Sequence, residues 1–148
     1  MKNDEEVEIV LVEDNPDDAA LTIRALRIHH LANNLVHLKD GSEAIEFIFG
    51  TGKYAGRNID KMPKVMLLDL KMPKVNGLEV LQKIKSNDHT KAIPIVILTS
   101  SAQDPDIKQC YEWGANSYIV KPVEFENFAK TVTDLGLYWM IYNRSPKV

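Results

Sequence analysis

The sequence predicts an α/β fold built on a doubly wound parallel sheet. Strand-like and helix-like segments alternate five times along the chain. The third and fourth strand segments, Val65–Asp69 and Ile95–Thr99, are apolar at consecutive positions, as expected when helices cover both faces of a parallel sheet. Polar residues gather where the predicted strands end. Right-handed crossovers then fix the winding.

Val7–Val12, rich in Val and Ile, is the first strand. Asn15 as N-cap, Pro16 at the first helical position and Asp17-Asp18 in the first turn open a helix running to about His30. Leu35–Leu38 is the second strand. Ser42–Phe49 is a helix, with Ala44, Ile45, Ile48 and Phe49 at helical spacing. Residues 50–62 form a polar connection. After strand three, a helix follows Gly77, with Leu78, Leu81 and Ile84 on one face. Pro94 introduces strand four. A helix from about Pro105 to Trp113 stops at Gly114. Ser117–Val120 is strand five, Lys121-Pro122 breaks it, and a last helix starts near Glu124.

The 148 residues suit one domain with a sizeable core, expected to span 1–148, with its body at about 7–135 and an extension at about 136–148. Apolar residues make up 45% and charged residues 26%, ordinary values for a soluble globular protein. A net charge of −3 gives no electrostatic reason to expect nucleic acid. No apolar run approaches membrane-spanning length, and the charged N-terminus lacks an apolar signal segment. Cys110 has no partner cysteine, which fits a reducing, cytoplasmic setting.

In "KVMLLDLKMP" the apolar run Val65–Leu68 ends on Asp69, an acid that burial alone would penalise. Strand one ends in Glu13-Asp14, strand four in Thr99-Ser100 and strand five in Lys121. In a doubly wound sheet the carboxyl ends of the strands share one rim, where sites form. Three carboxylates, a hydroxyl and an ammonium therefore converge there. Clustered acids raise one another's pKa, and a hard cation such as Mg²⁺ relieves that repulsion. A carboxylate beside Mg²⁺ and a lysine is suited to attack phosphorus while the cations neutralise charge on the transferring oxygens. Taken singly, each residue has a blander explanation: a helix cap, a dipole-favoured acid, a strand-end threonine, a surface lysine. Their joint placement argues against coincidence.

"VEDN", "LLDLKMPKVNG", "ILTSS" and "SYIVKP" together resemble the motif set of two-component response-regulator receiver domains, over about residues 7–135. The resemblance implies a (βα)5 flavodoxin-like sandwich with strand order 2-1-3-4-5 and an extended C-terminal helix. It implies that Asp69 is the phosphoacceptor, charged by a sensor histidine kinase. Asp14 would bind Mg²⁺ directly, Glu13 through metal-bound water, and Lys71 through its backbone carbonyl. Thr99 would be the switch hydroxyl, Tyr118 the aromatic rotamer switch and Lys121 the phosphoryl contact, with a cis Lys121–Pro122 bond. Glu13 stands where Asp is commoner. "VEDNPDDAALTIRAL", "GTGKYAGRN" and "LGLYWMIYNRSP" resemble stand-alone regulators associated with bacterial phytochrome-type kinases. Output would then be protein binding, phosphorelay or a phosphate sink.

The last helix carries Phe125, Phe128, Val132, Leu135, Trp139 and Tyr142 at alternating spacings of 3 and 4. Its first half is expected to cover the sheet. Leu137, Tyr138, Trp139, Met140, Ile141 and Tyr142 are apolar on all sides and need a second surface. A homodimer through the last helix, strand five and the tail is expected; the alternative is a tail folded onto its own domain. Gly136 could bend the helix.

Other signals are weak. Gly50-Thr51-Gly52-Lys53-Tyr54-Ala55 matches a dinucleotide fingerprint but follows a helix rather than the first strand. His29, His30, His37 and His89 lack metal-ligand spacing. The competing functional class is a small phosphatase with an aspartyl-phosphate intermediate. It would need a general acid near the nucleophile, but Lys71 stands two residues after Asp69, and no cap insertion is evident. The protein is therefore expected not to be a turnover enzyme.

Overall fold

The computed structural model describes residues 7–121 and 125–144. Five parallel strands lie in the order β2-β1-β3-β4-β5: β1 Ile9–Val12, β2 Leu35–Leu38, β3 Val65–Leu68, β4 Ile95–Thr99 and β5 Ser117–Val120. The helices are α1 Pro16–Ile28, α2 Gly41–Phe49, α3 Gly77–Lys85, α4 Asp104–Glu112 and α5 Phe125–Leu137. The doubly wound expectation and the strand order both hold.

The period of two along a strand divides the core in two. Val10, Val12, Met66, Leu68, Ile95 and Ile97 face α2, α3 and α4. Ile9, Leu11, Val65, Leu67, Val96 and Leu98 face α1 and the C-terminal helix. Every residue of β1, β3 and β4 is buried, which explains why these strands read as continuous apolar runs.

Local chemistry sets the helix ends. Asn15 Oδ1 accepts from the Asp17 and Asp18 amides at 2.9 and 3.1 Å. Asn76 and Glu79 form a capping box that starts α3, one residue before the expected point. α1 stops at Ile28, short of the expected His30, because His30 turns left-handed (φ 59°) and the Leu31 amide returns to the Leu26 carbonyl. The 50–62 connection contains a 3-10 turn at Gly52–Tyr54. Arg57 fastens that connection to α2 by donating to the Phe47 carbonyl.

The C-terminal segment widens after α5 into a π-helical turn, Tyr138–Tyr142, closed by the Asn143 amide on the Tyr138 carbonyl. Gly136 stays helical. A Cβ there would stand 2.8 Å from both Leu26 Cδ2 and Leu31 Cδ1, so glycine permits close packing of α5 on α1 rather than a bend. Trp139 is only 8% exposed and belongs to the core cluster of Ile9, Leu11 and Leu26; Met140 packs against the same cluster. Trp139 thus finds its second surface within its own domain, as the folded-back alternative expects, while Met140 packs there and stays half-buried. Tyr138, 50% exposed, does face outward. The side chains of Leu137, Ile141 and Tyr142, and the Lys121–Pro122 bond, lie outside the described residues.

Trp139→Ala should lower the unfolding free energy by about 3 kcal/mol, while Tyr138→Ala should change it by less than about 0.5 kcal/mol. Urea denaturation of the two variants distinguishes a docked tail from a free one.

Candidate functional site

Sheet register builds the site. Val12 pairs with Leu68, so the next residues, Glu13 and Asp69, leave adjacent strands side by side. The backbone holds them there. The Asp69 amide donates to the Val12 carbonyl at 3.1 Å, the Glu13 amide to the Leu38 carbonyl at 3.1 Å, and the Lys121 amide to the Thr99 carbonyl at 2.7 Å. Asp69 is 8% exposed, Glu13 3% and Thr99 fully buried, whereas Asp14 is open to solvent.

The β3–α3 loop is pressed onto Asp69. A Cβ on Gly77 would collide with the Asp69 carbonyl oxygen and lie 2.7 Å from Leu70 Cα. The Gly77 amide also donates to the Leu70 carbonyl at 2.8 Å. Glycine at 77 is thus a condition of the loop that carries Asp69 and Lys71. Lys71 follows on this loop with its side chain exposed.

Lys121 enters from the end of β5. Its Nζ lies 2.6 Å from Glu13 Oε1, 2.9 Å from Asp18 Oδ2 and 3.6 Å from Asp69 Oδ2. Burial works against the ammonium, yet the bonds to Glu13 and Asp18 and the charge of Asp69 keep its pKa above the ordinary lysine value. For Glu13, burial dominates and pushes the carboxyl up to about 7; Asp69 adds to the rise, and Lys121 opposes it.

One ligand oxygen from each of Glu13, Asp14 and Asp69 lies within 4.8 Å of the others. An all-oxygen, multiply negative donor set of this kind fits a hard divalent cation. Burial, and after it the Asp69 charge, disfavours ionised Glu13, and such a cation would favour it.

Beneath the acids, Thr99 Oγ1 accepts from the Ser101 amide at 3.4 Å. Ser101 Oγ donates to Asp106 Oδ2 on α4 at 2.6 Å, and the Tyr118 hydroxyl donates to the Ser101 carbonyl at 2.8 Å. Thr99, Tyr118 and the start of α4 therefore meet at Ser101.

The structure brings together the predicted Glu13, Asp14, Asp69 and Lys121, with Thr99 and Tyr118 joined through Ser101. Sequence reasoning missed Asp18, Ser101 and His37, whose Nε2 donates to the Glu13 carbonyl at 2.9 Å. Asp18 was legible only as first-turn helix charge. His37 carries no motif, and only the pairing of Leu11 with His37 reveals its place beside the end of β1.

Residues 9–133 match the response regulator receiver domain family. The chain belongs to that family. It is a response regulator of two-component signalling, with relatives associated with phytochromes. It is 40% identical over 138 residues to the probable methanogenesis regulatory protein FilR2 of Methanothrix harundinacea, covering 93% of this chain and 86% of that one. It is 35% identical over 132 residues to response regulator Rcp1 of Synechocystis, covering 89% and 88%. The phosphorylated cyanobacterial phytochrome response regulator RcpA superposes with a TM-score of 0.87 at 34% identity, covering 95% of this chain and 99% of that one. Rcp1 has also been solved in a Mn²⁺-bound form, with a TM-score of 0.85, 34% identity and coverage of 93% and 97%. Among the described residues no helix is long and apolar enough to cross a membrane.

Because the folded-state pKa of Glu13 is raised, its stabilising contribution is complete below the unfolded value of 4.5 and is lost as pH rises through about 7. In EDTA, Glu13→Gln should therefore gain thermal stability relative to wild type between pH 5 and pH 8. Calorimetry across that range, without and with a divalent cation, checks this; added cation should narrow the difference at pH 8.

Proposed function

We propose that this response regulator accepts a phosphoryl group on Asp69 from a phosphohistidine of a sensor histidine kinase, possession of Mg²⁺ being a condition of the reaction. The observation that carries this reading is the placement of Asp69 at a nearly closed rim, flanked by two acids and 3.6 Å from a lysine ammonium already committed to other carboxylates. Asp69 is thus near positive charge without being tied up by it.

The Asp69 carboxylate oxygen attacks phosphorus. The oxygen–phosphorus bond forms as the nitrogen–phosphorus bond of the donor breaks, and the imidazole leaves with the electron pair. Glu13, Asp14, Asp69 and the Lys71 carbonyl would hold Mg²⁺, which supplies charge neutralisation on the phosphoryl oxygens. Lys121 balances the charge from the other side. Thr99 would bond the new phosphoryl group; its present link to the Ser101 amide gives that shift a route to Tyr118 and α4. The arrangement supports a two-state switch read by other proteins, not a phosphatase, since an exposed lysine stands two residues after Asp69 where a general acid would be needed.

Trp139 belongs to the domain's own core, which leaves less of the tail for a second subunit. A homodimer would use the exposed Tyr138, the edge strand β5 and Val120, which is 40% exposed, rather than Trp139. A cytoplasmic histidine kinase, of phytochrome type, is the partner that the relatives favour. The chain is read as a single receiver domain with a short extension, acting in the cytoplasm without nucleic acid or membrane.

Incubation with acetyl phosphate and Mg²⁺ should give an acid-stable, base-labile adduct of one phosphoryl group by intact mass. Asp69→Asn or EDTA should abolish it; labelling of Asp69→Asn would sink the assignment. Tyr138→Asp should shift a dimer toward monomer in light scattering while leaving the labelling unchanged.

A further inference from the structure

Lys121 is held by an acid that the phosphoryl-transfer reading does not require. Asp18 sits in the first turn of α1, where Asn15 Oδ1 accepts its amide at 3.1 Å and its own carbonyl accepts from Thr22 Oγ1 at 3.0 Å. These bonds fix the backbone beneath its carboxylate. The N-terminal end of the helix favours the negative charge there. Asp18 Oδ2 then takes a hydrogen bond from Lys121 Nζ at 2.9 Å.

Two of the three ammonium hydrogens are thus directed at Glu13 and Asp18. The third group, Asp69, is 3.6 Å away, beyond a normal hydrogen bond. We propose that Asp18 is a positioning residue for phosphorylation: it holds the Lys121 ammonium on the α1 side of the rim until the phosphoryl group arriving at Asp69 draws it across. The proposal rests on Asp69 being the phosphoacceptor.

The direction follows from charge. An acyl phosphate carries more negative charge than the carboxylate it replaces, so its pull on Lys121 is stronger than that of Asp69 now. The transition state needs positive charge on the transferring oxygens. An ammonium shared with Asp18 must loosen that contact first, and Asp18, with its side chain 36% exposed, is close enough to water for the contact to be modest. Glu13 keeps Lys121 in the site when Asp18 lets go.

The test uses acetyl phosphate as donor in saturating Mg²⁺. The Asp69 oxygen–phosphorus bond forms as the bond from phosphorus to the acetate oxygen breaks, and acetate leaves with the electron pair. Initial labelling rates are read by intact mass for wild type, Asp18→Asn, Asp18→Ala and Asp18→Glu, and again for each in a Lys121→Met background. Asp18→Asn and Asp18→Ala should label about two- to fivefold faster than wild type, the range of a partly exposed ion pair. Asp18→Glu, which keeps the charge, should bring the rate back toward wild type. In Lys121→Met the acceleration should vanish, which a purely structural effect of Asp18 would not do. Equal or slower labelling of both neutral variants overturns the proposal, as does acceleration that survives Lys121→Met. If wild type takes no label, the phosphoacceptor reading itself falls and takes this proposal with it.

Discussion

One lysine ammonium among carboxylates governs the upper rim of this molecule. Without Lys121, Glu13 and Asp69 would be neighbouring buried acids with no compensating charge, a costly arrangement. With it, they can stand at the ends of adjacent central strands. The remaining architecture supplies the conditions: parallel register to align β1 with β3, β5 to deliver the lysine, and α1 to add Asp18. Burial, and after it the neighbouring Asp69, raises the pKa of Glu13 despite the ammonium, and the three-carboxylate donor set fits a divalent cation.

Most of this was legible before any coordinates. The alternation of elements gave the sheet, and the polar strand ends gave Glu13, Asp14, Asp69, Thr99 and Lys121, because strand-end chemistry follows directly from topology. Asp18, His37 and Ser101 were not legible, and for physical reasons. Asp18 has an adequate local role as first-turn charge, so nothing in the sequence points to a lysine 103 residues away. His37 acts on a backbone carbonyl, which leaves no side-chain pattern. Ser101 joins Thr99, Tyr118 and α4 only once β4 and β5 are paired.

The tail was legible only in part. Six consecutive apolar residues suggested an interface, because sequence gives composition but not which part of the core is still uncovered. For Trp139, Gly136 makes the difference. The absence of a Cβ lets α5 approach Leu26 and Leu31, and that approach brings Trp139 over β1. A residue that reads as a helix breaker is here the residue that lets the helix dock.

The placement of the two tryptophans has a practical consequence. Trp139 is 8% exposed in the layer shared by α1 and α5; Trp113, 42% exposed, caps α4 in the opposite layer. The sheet stands between them. Their indoles therefore sit in dry and wet surroundings on separate faces of one domain, so the blue and red parts of the intrinsic emission report different layers. A quencher dissolved in the buffer reaches the α4 indole first. The molecule carries its own optical means of telling which side of the sheet responds when the rim is charged.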